Sequence, residues 1–86
     1  MERLTFIIKD KEKEVTCEVI ATYHDDVTNK DFIVYTDKTI NEDGKLNLYY
    51  SLYKMIDNSI KLIETKEIED KKIGLELVQE IIKMLK

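Results

Sequence analysis

The sequence predicts an α+β domain, an antiparallel meander of about five strands packed against one C-terminal helix. Three observations predict it. Apolar and polar residues alternate through residues 15–23 and 46–56, the period of a strand with one dry face. Short clusters of turn-forming polar residues separate the apolar stretches, at residues 24–30, 37–45 and 57–59. From about Asp70 the apolar spacing becomes three and four, the period of a helix.

The first strand is Leu4-Thr5-Phe6-Ile7-Ile8, β-branched and aromatic, and it ends at the charged run Lys9-Asp10-Lys11-Glu12-Lys13, which reads as a surface turn. In the second, Val15, Cys17, Val19, Ala21 and Tyr23 are expected on one face and Thr16, Glu18, Ile20 and Thr22 on the other. His24 opens the next loop. Phe32-Ile33-Val34-Tyr35 is apolar on both sides, as in a central strand. The loop that follows contains Asp43-Gly44, a strong turn dipeptide. The fourth strand alternates Leu48, Tyr50 and Leu52 with Tyr49, Ser51, Tyr53 and Met55, and a tight polar link then leads to a last strand at residues 60–65.

Asp70 is the expected N-cap of the helix, and Leu75, Val78, Ile81, Ile82 and Leu85 form its expected sheet-facing stripe. Gly74 falls inside the helix, where glycine costs about 1 kcal/mol relative to alanine. Close approach of the helix backbone to the sheet explains such a residue. Ile73, Leu77 and Met84 widen the apolar arc beyond what one sheet face requires.

At 86 residues the chain makes one domain, residues 1–86, with one thin core. Fourteen basic residues against 18 acidic ones give a net charge of −4, the opposite of the usual nucleic-acid-binding signature. Cys17 is the only cysteine, so no internal disulfide and no thiolate metal cluster can form. The apolar run at the amino terminus is shorter than a signal-peptide core or a membrane span, which points to the cytoplasm and away from membranes.

Candidate sites fail one after another. Placing Gly44 at the sixth position of a Ca²⁺-binding loop leaves Thr39 at the first and Tyr50 at the twelfth, where acidic ligands belong. Asp25, Asp26 and Asp31 flank His24 without the spacing of a metal site, so they read as a solvated turn. Cys17 sits mid-strand, and its odd separation from His24 puts the two side chains on opposite faces of a regular strand. Ser51 and Ser59 have no identifiable base. With Gly44 and Gly74 as the only glycines, no phosphate-binding loop can be built. No cofactor is expected. Tyr49 and Tyr53 share a face with Met55, and three readings compete there: cross-strand packing, a protein-binding surface, or a base-stacking platform.

Three segments together are distinctive: Asp31-Phe32-Ile33-Val34-Tyr35-Thr36-Asp37, Asn41-Glu42-Asp43-Gly44-Lys45-Leu46-Asn47, and Tyr49-Tyr50-Ser51-Leu52-Tyr53. With the earlier Glu14-Val15-Thr16-Cys17-Glu18-Val19, they resemble the YrzB-like family of small bacterial proteins (domain of unknown function 1292) over nearly the whole chain from about Phe6. The chain departs from that pattern in its tail, where Lys71, Lys72, Lys83 and Lys86 make the helix more basic. The resemblance implies a cytoplasmic protein of a low-GC Gram-positive bacterium with no assigned activity, and it transfers no functional residues.

The sequence therefore leads to the expectation of a non-enzymatic protein-binding or structural module. Its candidate interface is Tyr49, Tyr53 and Met55 on the sheet, with Ile73, Leu77 and Met84 on the helix, taking a protein partner or a second copy of the chain. The alternative is a small-ligand-binding protein or enzyme with a pocket between helix and sheet. A weak nucleic-acid binder using the Tyr49/Tyr53 face ranks third.

Overall fold

Central to the fold is a strand that is buried on both sides. In the computed structural model, which describes residues 5–9 and 13–84, Phe32, Ile33 and Val34 are all buried. They belong to β3 (Lys30–Thr36), flanked by β2 (Glu14–Asp25) and β4 (Tyr49–Ile56). β1 (Thr5–Lys9) and β5 (Ser59–Ile63) form the edges, so the five strands run antiparallel in chain order, and α1 (Ile68–Met84) follows. The expected α+β meander with one C-terminal helix is the observed fold. The central part of the charged turn expected at residues 9–13 lies outside the described residues.

Alternate residues of β3 serve two cores. Ile33 packs with Phe6 and Cys17, surrounded by Ile8, Val15, Val19, Tyr35, Tyr53, Ile60 and Leu62. Because this one cluster draws on every strand, the sheet curls toward a barrel with these side chains inside. Phe32 and Val34 face the other way, where α1 packs over β3 and β4. Each fully buried large apolar side chain contributes about 1.5–3 kcal/mol relative to exposure. A central strand apolar on both sides is therefore the best use of a short sequence.

The expected single face of β2 is corrected. Val19 pairs with Tyr35 but Ala21 pairs with Val34, so Ile20 is the extra residue of a β-bulge. Val15, Cys17 and Val19 precede the bulge and face the barrel interior. Ala21 and Tyr23 follow it and line the helix side with Phe32 and Val34. One strand thereby serves both cores.

Local chemistry explains the turns. Asp57 and Asn58 have φ values of 49° and 65°, the pair of left-handed residues that a two-residue type I′ hairpin requires, and Ile56 pairs with Ser59 across it. β2 reaches Asp25, further than the sequence suggests, because His24 and Asp25 pair with Asp31 and Lys30. The Asp25 carboxylate then accepts hydrogen bonds from the Thr28 N–H (3.2 Å) and hydroxyl (2.5 Å), closing the turn. β4 begins at Tyr49 and not at Leu46 as expected. Leu46 instead bridges to Ile40, and the Asn47 N–H donates to the Thr39 carbonyl at 3.0 Å, folding residues 39–47 back on themselves.

The helix starts at Ile68, two residues before the expected N-cap. Asp70 lies in its first turn, buried, where its carboxylate accepts a 2.7 Å hydrogen bond from Lys30 Nζ. This ion pair ties the start of α1 to the β2–β3 hairpin, and the carboxylate also complements the positive end of the helix. Gly74 is buried against the sheet, and a Cβ there would fall inside the Tyr50 ring. The close approach that explains an interior glycine is thus present. Asp70 and Gly74 set the line of closest contact, so Ile73, Leu77, Val78 and Ile81 are half-buried beside it. The expected stripe is corrected accordingly: Leu75 and Ile82 turn outward.

Gly74→Ala is expected to destabilise the domain by about 1–3 kcal/mol, since overpacking against a ring outweighs the helix-propensity gain. Urea unfolding checks this. The double variant Gly74→Ala/Tyr50→Leu should lose less than the sum of its single changes, and strict additivity would count against the contact.

Candidate functional site

Five strands do not close the barrel. Between β1 and the β4–β5 hairpin an open groove of about 620 Å³ reaches the interior cluster. Phe6, Val19, Tyr53 and Ile60 give it an apolar floor, and Met55 (58% exposed) and Ile7 (54%) stand at its sides. Thr5, Thr16, Thr22, Asn58 and Ser59 supply polar rim atoms. Among the described residues the lining holds no carboxylate, imidazole, amine or thiol. Such a surface can bury apolar groups and satisfy backbone polar groups, but it has no acid–base pair.

Two of the sequence-derived interface residues, Tyr53 and Met55, lie at this groove. Tyr49 shares their face, four residues before Tyr53, and it has its own partners. Its ring lies 5.6 Å from that of Tyr35, and its hydroxyl donates to Asp37 Oδ2 at 3.1 Å. Tyr49 and Tyr53 thus do not form one open stacking surface, since Tyr53 is half-buried in the interior cluster.

The helical candidates are separated from the groove by the thickness of the sheet. Leu77 faces Phe32 and Val34, and with Ile81 and Met84 it lines a cavity of about 200 Å³ in the helix–sheet seam. Ile73 is half-buried. Met84, at the last described turn, is 81% exposed. Besides Met84, the apolar residues that α1 leaves exposed are Ile68, Leu75 and Ile82, spaced by seven residues. A wheel drawn from the sequence alone cannot find this face, because the phase of the helix is set by Asp70 and Gly74.

Cys17 is fully buried, and burial first, then the nearby Asp37 charge, pushes its thiol pKa up, the opposite of nucleophile activation. Odd spacing does not separate Cys17 from His24 onto opposite faces, as expected of a regular strand. The bulge at Ile20 returns His24 to the face Cys17 occupies. Seven strand residues still span about 23 Å, so the two do not meet. Ser51 Oγ is buried 2.9 Å from the Ile63 and Leu52 carbonyl oxygens.

His24 has its own partner across the hairpin. Its Nδ1–H donates to Asp31 Oδ1 at 2.8 Å, and Nε2 lies 3.6 Å from Asp26 Oδ1. That hydrogen bond, with the charges of Asp31, Asp26 and Asp25, holds the imidazole pKa above its ordinary value. In the loop 37–47, Asp37 accepts from the Thr39 N–H and hydroxyl, while Asn41 Oδ1 accepts from the Asp43 and Lys45 N–H groups. Those oxygens serve the turn, and among the described residues no group of three or more His, Cys, Asp or Glu is placed to hold a metal. No helix of the described residues is long and apolar enough to cross a membrane.

A scan against protein-family models, a search of curated proteins and a search of solved structures each found no match.

The raised pKa of His24 gives a signed pH dependence. Its stabilising contribution is fully present below the ordinary histidine pKa and is lost as pH rises through the higher folded value. NMR titration of the His24 ring should give a midpoint above 6.5, and Asp31→Asn should lower it. A midpoint that Asp31→Asn leaves in place would remove the pair as the cause.

Proposed function

We propose that this chain is a non-enzymatic binding module that receives a protein segment in the groove between β1 and the β4–β5 hairpin. The observation that carries this reading is the groove itself, about 620 Å³ of apolar floor and hydroxyl rim, open to solvent and, among the described residues, lined by no acid–base pair. Met55 and Ile7, large apolar side chains more than half exposed beside it, are the surface a partner would cover. The resemblance to the YrzB-like family, which has no assigned activity, is compatible with this role. A single buried cysteine fits a reducing compartment, and we place the protein in the cytoplasm on that ground.

The other readings have weaker support. At about 200 Å³ the helix–sheet cavity is smaller than the ~300–1,000 Å³ of typical ligand pockets. Self-association through the exposed face of α1 meets Lys71, which stands three residues after Ile68 and four before Leu75 and so interrupts the apolar strip. Nucleic-acid binding has against it a net charge of −4 and two tyrosines already engaged within the sheet.

Peptides selected from a randomised display library on the immobilised chain should bind it and lose about tenfold or more in affinity on Met55→Glu, because a partner would have to bury an unpaired charge. Selected peptides that bind the variant as well as the parent chain would refute the groove as the binding surface.

A further inference from the structure

Among the described residues the two edge strands of the sheet are β1 and β5, each with a single neighbour in the order β1-β2-β3-β4-β5. In an antiparallel ladder every second residue of an edge strand turns its N–H and C=O outward, leaving donors and acceptors unpaired by the sheet. The two faces of β5 differ in chemistry. Ile60 and Leu62 belong to the interior cluster, opposite Met55 and Tyr53 on β4. Lys61 lies on the other face, directly across from Lys54, and both lysines are exposed. No carboxylate of the described residues forms an ion pair with either. Like charges directly opposite each other destabilise an antiparallel pair, so this face of the hairpin has an uncompensated positive charge.

The geometry points to an occupant of defined pattern: β5 receives, as a sixth strand, an extended peptide segment in which apolar and acidic residues alternate. This rests on the reading of the groove as a protein-binding surface and specifies the partner's chemistry. Side chains along an added strand alternate between faces. One set then enters the groove toward Phe6, Tyr53 and Ile60. The other set lies on the face of Lys61 and Lys54, where carboxylates relieve the repulsion. Backbone pairing supplies affinity and the alternating side chains supply selectivity. A second copy of β5 is a poorer occupant. Lys61 is the middle residue of Ser59–Ile63, so antiparallel self-pairing centred on the strand sets lysine against lysine. A lysine on an open edge guards against such association, and the same charge selects an acidic strand.

Two short labelled peptides, one alternating valine and glutamate and the other valine and lysine, test this by fluorescence anisotropy at low salt with the full chain. The glutamate peptide should bind about tenfold more tightly, and Lys61→Glu should reverse the order. That variant turns a repulsive cross-strand pair into an attractive one, so it keeps the fold. Backbone amides of β5 should gain protection from hydrogen exchange when the glutamate peptide is bound. Equal affinity for the two peptides, or a preference that Lys61→Glu leaves unchanged, overturns the charge-selected strand. Binding without added protection in β5 overturns strand pairing, and binding of neither peptide overturns the inference as a whole. The groove reading falls separately, on library-selected peptides that ignore Met55→Glu.

Discussion

Everything in this domain depends on β3 being dry on both faces. Phe32 and Val34 meet the helix while Ile33 meets the barrel interior, and among the described residues β3 is the one strand enclosed so fully. Two thin cores back to back then require their neighbours to serve both. β2 does so by inserting Ile20 as a bulge, which moves the apolar residues after it onto the helix side. Were Ile20 paired in a regular ladder, Ala21 and Tyr23 would continue on the face of Cys17, and the helix would meet the polar set of the strand. A bulge is the one local device that changes face without breaking the strand.

The helix is held by shape and charge as much as by apolar area. Gly74 lets its backbone settle on the Tyr50 ring, and the Asp70–Lys30 pair fixes its first turn against the β2–β3 hairpin. Such a pair gains little net stability from attraction alone, because the Asp70 carboxylate loses its water while the Lys30 side chain stays 38% exposed. Its value here is positional: Asp70 is satisfied only when α1 sits at this height and rotation. The same completeness holds elsewhere. Thr36 Oγ1 accepts from the Lys38 N–H at 3.1 Å, and no buried side-chain polar atom of the described residues lacks a partner.

Full use of β3 has a consequence at the edges. The sheet curls enough for Phe6 of β1 to join Tyr53, Ile60 and Leu62 in one cluster, yet β1 and β5 are not neighbours in the ladder. The interior is therefore dry at its centre and open along one seam. Along that seam the described residues present an apolar floor and the edge strands of the sheet, the two features on which the proposed association rests. The proposed role follows from an unfinished barrel.

Much of this was legible in the residues themselves. Period two in Tyr49 to Met55, the apolar run of β3, the Asp57-Asn58 turn and the helical spacing from about Asp70 are local properties, because backbone sterics and side-chain periodicity act within a few residues. Even the interior Gly74 announced a close contact. The phase of each element was not legible. Ile20 looks like any outward residue of an alternating strand until its pairing with β3 is known, and Leu75 looks as core-facing as Leu77 until Asp70 and Gly74 are placed. Ile73, Leu77 and Met84 were separated from Tyr53 and Met55 for the same reason, as they lie on opposite sides of the sheet. Sequence by itself determined which segments are strands, turns and helix. Tertiary structure alone decided which way they face and where the barrel stays open, because those depend on contacts between residues far apart in the chain.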